Sequence, residues 1–184
     1  SLKSIQERLT PNAVPVTIPI GLESNFEGII ELLRQKAIYF EGENGEKIIE
    51  KEIPEDLKSE TEKWRDNLIE KISETDEKLT ALYLEGQEVP VEELRRALRQ
   101  ASLSYKLVPV FCGSALKNKG VQIMLDGVVD FLPSPADLPP VKGLDPKSGA
   151  ELTREAKDSA PFAALAFKLQ SDPYVGQLTF FRVY

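Results

Sequence analysis

Histidine is missing altogether from the 184 residues, and cysteine, methionine and tryptophan occur once each. Without imidazole the chain lacks the side chain most often used as a general base near neutral pH and most often found on zinc, so Ser-His-Asp triads and His-based metal centres are excluded. The lone Cys112 cannot close an internal disulfide, and no secretory signal opens the sequence, so a reducing, cytoplasmic setting is expected. No run approaches the ~18 apolar residues of a membrane helix, which leaves membranes out of the expected partners. Basic residues are also short, 23 against 30 acidic for a formal net charge of −7. That balance lacks the excess of a self-sufficient nucleic-acid binder, so no direct nucleic-acid site is expected. A monomer is expected. What remains, 41% hydrophobic and 29% charged, is the composition of a soluble globular protein large enough for one ordinary domain or two small ones.

Along the chain, Ile5 and Leu9 are spaced as on one helix face, stopped by Thr10-Pro11-Asn12. Val14 to Ile20 reads as one short strand, which Pro15 and Pro19 confine to an edge. Gly21 to Asn25 is a turn. Ala37 to Phe40 and Lys47 to Ile53 flank Glu41-Gly42-Glu43-Asn44-Gly45, whose Asn-Gly supplies the positive φ of a hairpin. From Pro54 the period becomes helical: Leu57, Thr61, Trp64, Leu68 and Ile72 share one face, with Trp64 read as core. Ser73 or Thr75 is expected to cap a second helix carrying Leu79, Leu82 and Tyr83 and stopped by Gly86, and Pro90 opens a third with Leu94, Ala97, Leu98 and Ala101. Leu107 to Cys112 is a strand, Gly113 to Gly120 a polar loop, and Val121 to Leu132 a helix expected to turn Val121, Met124, Leu125, Val128 and Leu132 inward. Prolines 133, 135, 139 and 140 then open a linker poor in apolar residues. Phe162 to Leu169 and Leu178 to Tyr184 are strands around Ser171 to Gly176, and two strands alone are marginal in water, so they are expected to begin a larger sheet.

The segment richest in chemistry is Val108-Pro109-Val110-Phe111-Cys112-Gly113-Ser114-Ala115-Leu116-Lys117-Asn118-Lys119-Gly120-Val121. A strand that delivers a Gly-Ser-Ala turn presents backbone N–H groups at the carboxyl edge of a sheet, where open α/β folds bind ligands, and such donors suit the O6 carbonyl of guanine. Taken alone, Ser114-Ala115-Leu116 is equally a polar loop turning a strand into a helix. The longer string Gly113 to Gln122, together with Asp172 to Tyr184, resembles the elongation factor G family of translational GTPases. The resemblance continues through Pro19-Ile20-Gly21, residues 25–37, Lys63-Trp64-Arg65, Tyr83-Leu84-Glu85-Gly86, Arg96 to Gln100 and Phe131 to Pro135, and so spans essentially the whole chain.

That resemblance implies an α/β fold in which residues 1–22 and 103–140 are the C-terminal part of a P-loop GTPase domain and residues 23–102 an inserted α+β subdomain of a hairpin plus three helices. A linker over 141–158 and the first strands of a β-barrel domain over 159–184 would follow. Ser114-Ala115-Leu116 matches the last guanine-recognition motif of such GTPases, with the Ala115 amide as the donor to O6 and Ser114 and Leu116 positioning it. The implied activity is GTP hydrolysis on the ribosome during translocation of tRNA and mRNA, with GTP or GDP and Mg²⁺ as cofactors and the ribosomal stalk protein and rRNA as partners of the full-length factor.

The chain lacks the Gly-x-x-x-x-Gly-Lys-Ser/Thr loop that cradles phosphates, and Asn118-Lys119-Gly120-Val121 lacks the aspartate of a guanine-reading Asn-Lys-x-Asp. Phosphate loop, switches and that motif are therefore expected to precede Ser1, and most of the barrel to follow Tyr184; this stretch alone is expected to bind GTP weakly and to have no catalytic residue and no metal ligand. Charge is concentrated in residues 41–74, with twelve acidic against six basic side chains. Glu55, Glu62, Asp66 and Glu70 fall opposite the Leu57, Trp64, Leu68 stripe, giving an acidic ridge. It reads either as a solvated face or, by the resemblance, as the contact for the stalk protein, with Glu62, Asp66 and Glu70 the residues expected to make it. Arg95, Arg96 and Arg99 are expected to pair with Glu92 and Glu93, and Cys112 to pack rather than react. A related ribosomal GTPase of the tetracycline-resistance protection type, or a stand-alone acidic adaptor for a basic protein, are the alternatives.

Overall fold

The chain is described here by a computed structural model covering residues 1–42 and 44–184. It is a mixed α/β protein with small sheets, and its residues fall into two compact units, Ser1–Leu132 and Pro133–Tyr184.

In the first unit, α1 (Leu2–Arg8) leads into β1 (Ala13–Pro15) and β2 (Thr17–Ile20). The single strand expected over 14–20 is thus two strands in different sheets. β1 pairs in parallel with β6 (Val108–Val110), while β2 is the edge of an antiparallel sheet ordered β2-β3-β4-β5 with β3 (Gly28–Glu31), β4 (Lys36–Glu41) and β5 (Lys47–Lys51). The switch falls at Val16, and the prolines, which cannot donate to a ladder, sit at the end of β1 and on the edge strand β2. The hairpin over 37–53 is present as β4 and β5, though its expected turn includes Glu43, which lies outside the described residues. Sequence periodicity missed β3: Gly-Ile-Ile-Glu is too short to show alternation, and all four residues are buried.

Helices α2 (Glu55–Ser73), α3 (Glu77–Leu84) and α4 (Val91–Leu103) supply the other side of the main core. Leu68 and Ile72 from α2, Leu79 from α3 and Leu94 and Leu98 from α4 have no exposed surface, and they pack with Val16, Ile30 and Leu32. Burial of a branched aliphatic side chain stabilises by about 1.5–3 kcal/mol, so this cluster holds the unit together. Trp64 is half-buried at the rim, its indole N–H donating to Glu60 at 3.3 Å. The cap of α3 is neither Ser73, which ends α2, nor Thr75, but Asp76, whose Oδ1 accepts from the amides of Lys78 and Leu79. Asp76 is also held by Arg96 at 2.7 Å, so one carboxylate serves helix start and tertiary pair.

Helix α5 (Val121–Phe131) departs from expectation. Gly127 and Phe131 are buried, with Ile123 half-buried, whereas Met124, Leu125, Val128 and Leu132, expected inward, are 43–54% exposed. Phe111 decides the rotation. Its ring lies where a Cβ on Gly127 would come within 2.4 Å, and it stands 6.3 Å from the Phe131 ring, so only a glycine face fits against it. The last turn of α5 is then held by Arg99, which donates to the carbonyls of Val129 and Asp130. Arg96 does pair with Glu93, and Arg95 faces Asp130 at 3.8 Å.

The second unit holds two antiparallel hairpins. β7 (Val141–Leu144) with β8 (Glu151–Arg154) occupies the stretch expected to be a linker, closed by Asp145, whose carboxylate accepts from the amides of Lys147 and Ser148. That turn chemistry lets a segment poor in apolar residues pair. β9 (Ala164–Asp172) and β10 (Gly176–Val183) form the expected second hairpin, turned by Asp172 accepting from the amides of Tyr174 and Val175 and irregular at Phe180 and Phe181. Leu165, Phe167, Leu169, Phe181 and Val183 are all exposed on it.

Candidate functional site

The Ser114-Ala115-Leu116 triplet sits on the loop between β6 and α5, at the carboxyl end of a parallel strand, with Gly120 in the cap position of the helix that follows. Two glycines form the neck of this loop. Gly120 has a φ of +82°, and a Cβ there would meet Cys112 O at 2.8 Å, while a Cβ on Gly113 would meet Lys119 O at 2.7 Å. Both positions therefore exclude larger residues, and the two ends close on each other: Ser114 N donates to Lys119 O at 2.8 Å and Lys119 N to Ser114 O at 3.0 Å. Inside that bridge, Asn118 N donates to Ala115 O at 3.1 Å, which completes a tight turn.

The outcome for the three amides differs from a simple row of free donors. Ser114 N is taken up by the bridge, and no partner among the described residues accepts from the amides of Ala115 and Leu116. Both residues are exposed, Leu116 at 98%. Two adjacent N–H groups on exposed residues are thus without a protein acceptor above a hydrogen-bonded neck, an arrangement that can receive one carbonyl oxygen. An adenine amino group offers a donor at the same place and would leave these N–H groups unmatched.

Below the loop, Thr17 fixes the strand end. Its hydroxyl accepts from Cys112 N at 2.9 Å and lies 3.4 Å from the Cys112 sulfur. Burial pushes the Cys112 thiol up from its ordinary pKa, so it stays protonated and packs with the Ile29, Ile38, Phe40 cluster. A cleft of about 860 Å³ beside it is lined by Phe26, Leu57, Trp64, Cys112, Ser114 and Lys117 among others, and does not include Ala115 or Leu116. Among the described residues no group of three or more carboxylates and thiols is arranged to hold a metal ion.

The loop has further supports that sequence reasoning overlooked. Asn118, read there only as half of an incomplete motif, has a φ of +47° and donates from its side chain to Asn44 O at 2.8 Å. Lys119 donates from Nζ to Phe26 O at 3.1 Å. The Asn-Gly turn was visible in the sequence; that its tip would lie against a loop some seventy residues later was not.

Glu62, Asp66 and Glu70 lie on one exposed face of α2, and no ion pair engages them among the described residues. Their neighbours are engaged: Lys58 pairs with Glu55 and Lys71 with Glu74. Arg65, on the inner side, donates to the carbonyls of Leu32 and Leu33, and its burial lowers its pKa from the ordinary value. The ridge is therefore an acidic strip in which Lys58, Lys71 and Arg65 are committed to other groups, and Lys63, exposed beside Glu62, is the one α2 cation that no such contact engages among the described residues. No hydrogen bond or ion pair joins it to the 114–119 loop among the described residues. Among the described residues no helix is long and apolar enough to cross a membrane.

No family model matches the chain. Among solved structures it is similar to a protein of Thermus thermophilus, whose crystal structure superposes with a TM-score of 0.75 at 28% identity over 99% of this chain. The match covers 24% of that protein, so the chain spans about a quarter of the length of the structure it resembles.

Proposed function

We propose that this chain is the guanine-recognition end and inserted subdomain of a ribosomal GTPase of the elongation factor G kind. The observation that carries the reading is the pair of exposed amides without a protein acceptor at Ala115 and Leu116, on a closed neck at the carboxyl end of a parallel strand. In use, the Ala115 N–H donates to guanine O6, and Ser114, through its bridge to Lys119, keeps that N–H in place. Packing adds support. A parallel pair such as β1 and β6 is ordinarily covered on both faces by further strands and helices, and the apolar stripe of α5 is open to receive them.

The arithmetic of affinity limits what these residues do alone. A neutral hydrogen bond contributes about 0.5–1.5 kcal/mol net, whereas even millimolar binding corresponds to about −4.1 kcal/mol. The amides therefore select the base, while affinity and hydrolysis of GTP belong to a phosphate loop and Mg²⁺ site elsewhere in the full-length protein. The acidic ridge of Glu62, Asp66 and Glu70 fits the remaining part of the proposal, a contact with basic side chains of the ribosomal stalk protein, where unpaired charge raises the encounter rate.

The test is titration of labelled GDP and ADP against the full-length protein and against the 184-residue chain. The expected result is GDP selectivity in the former, abolished by Ala115→Pro and kept by Ala115→Ser, and no saturation of the latter up to high micromolar. Equal GDP affinity in the Ala115→Pro variant would remove the role given to that amide, and Mg²⁺-dependent binding by the short chain would reveal a phosphate site within it.

A further inference from the structure

The 114–119 loop is held from a direction that its own strand and helix do not supply. One end of the four-stranded sheet meets it in three places. Asn118 Nδ2 reaches the carbonyl of Asn44 in the β4–β5 turn at 2.8 Å. In the same turn Gly45, at φ +61°, lies so close that a Cβ would come within 2.8 Å of Lys117 O and 3.0 Å of Asn118 O. Lys119 Nζ donates to Phe26 O, just ahead of β3, at 3.1 Å. Asn118 also occupies the left-handed region, which a non-glycine residue enters at a cost and keeps only where surrounding contacts over-determine it. None of these contacts involves Ala115 or Leu116, so they act on the two unpartnered amides through the residues beside them, Asn118 N donating to Ala115 O among them.

We propose that the β4–β5 turn is the positioning device of the base-reading loop: Asn118 and Gly45 clamp it, Lys119 anchors it to the strand entry, and a displacement of the sheet is transmitted to purine selectivity. This rests on the guanine reading above. It goes further by making the inserted sheet part of the base site, with Asn118 and Gly45 as positioning residues that touch no ligand. The donor on Asn118 is the working part, because it fixes the turn carbonyl, and the absence of a side chain at Gly45 is what permits the approach.

The experiment uses the full-length protein and two readouts. Hydrogen exchange over residues 113–120 reports the loop itself, because the Ser114, Asn118 and Lys119 amides are bonded within it. Affinities for GDP and ADP report the base site. Asn118→Asp, which loses the donor, is expected to quicken loop exchange and weaken GDP about tenfold while leaving ADP and the melting temperature unchanged. Asn118→Gly relieves the left-handed strain without restoring the donor and is expected to behave likewise, and Gly45→Ala to act in the same direction. Unchanged loop exchange in all three variants would overturn the clamp. Quickened exchange with unchanged GDP affinity would overturn its link to purine selectivity. A full-length protein that binds no guanine nucleotide would instead defeat the guanine reading, and with it the selectivity role, while the exchange data would still decide whether the turn holds the loop.

Discussion

Helices α4 and α5 are both amphipathic, yet they meet opposite fates. The stripe Leu94, Ala97, Leu98 and Ala101 of α4 is buried in full against the sheet and α2, whereas Met124, Leu125, Val128 and Leu132 of α5 lie open. The pattern in each helix states which face seeks cover; the surrounding chain decides whether cover exists. In α5 the contact with Phe111 at Gly127 wins a second face for the core, and the larger apolar stripe is left as surface. The same contrast separates the two units' sheets, since β3 is buried throughout and the β9–β10 hairpin is almost wholly exposed. Exposed apolar area of this extent marks surface meant for packing.

The sharpest way to break the comparison is truncation on each helix. Leu98→Ala, at a fully buried position, should cost about 2–5 kcal/mol, while Met124→Ala should stay within about 0.5 kcal/mol, both read from urea midpoints of this chain. Equal costs would mean that α5 buries its stripe after all. A smaller effect is expected at the start of α3, where Asp76→Ala removes the cap and the partner of Arg96 for about 1 kcal/mol. Arg96, then the bonds from Leu79 and Lys78, hold the Asp76 carboxylate below its ordinary pKa of 3.8. Because the folded value is depressed, the contribution is complete above the ordinary value and is lost as pH falls below it, so the variant and the parent should converge in stability in acid. The smallest change in folding is expected on the ridge. Glu62→Lys, Asp66→Lys and Glu70→Lys combined should leave the midpoint within about 0.5 kcal/mol yet slow association with a basic stalk protein at low salt, an effect that fades as salt rises. An unchanged association rate would reduce the ridge to a solvated face.

How much of this was legible in advance follows the range of the interactions involved. The three long-period helices, the 37–53 hairpin and the Ser114-Ala115-Leu116 loop could be read because their signals are local: periodicity, Asn-Gly, and glycines at both ends of a turn. The division of residues 14–20 between two sheets could not, because Val16 and its neighbours look alike whichever strand they pair with. Nor could the rotation of α5, which depends on the ring of Phe111 finding Gly127, or the cap of α3, where Ser73, Thr75 and Asp76 are all competent and tertiary pairing with Arg96 selects the third. The β7–β8 hairpin was missed because turn chemistry at Asp145, and not hydrophobic alternation, makes it.

Val16 has one more consequence. Its N–H donates to Val110 at the end of β6, and its carbonyl accepts from Leu32 beside β3, so a single residue closes one ladder and opens another. Because β1 and β6 run in the same direction, no tight turn can join them, and a return path of a dozen or more residues is obligatory. The sheet and its three helices are that return path. Loop-closure entropy rises by only about 0.6 kcal/mol for each doubling of length, so a path already required could be lengthened into a folded body at little expense to the strands it connects. Splicing Pro15 directly to Val108 would accordingly break the β1–β6 pair, and with it the strand that carries the 114–119 loop.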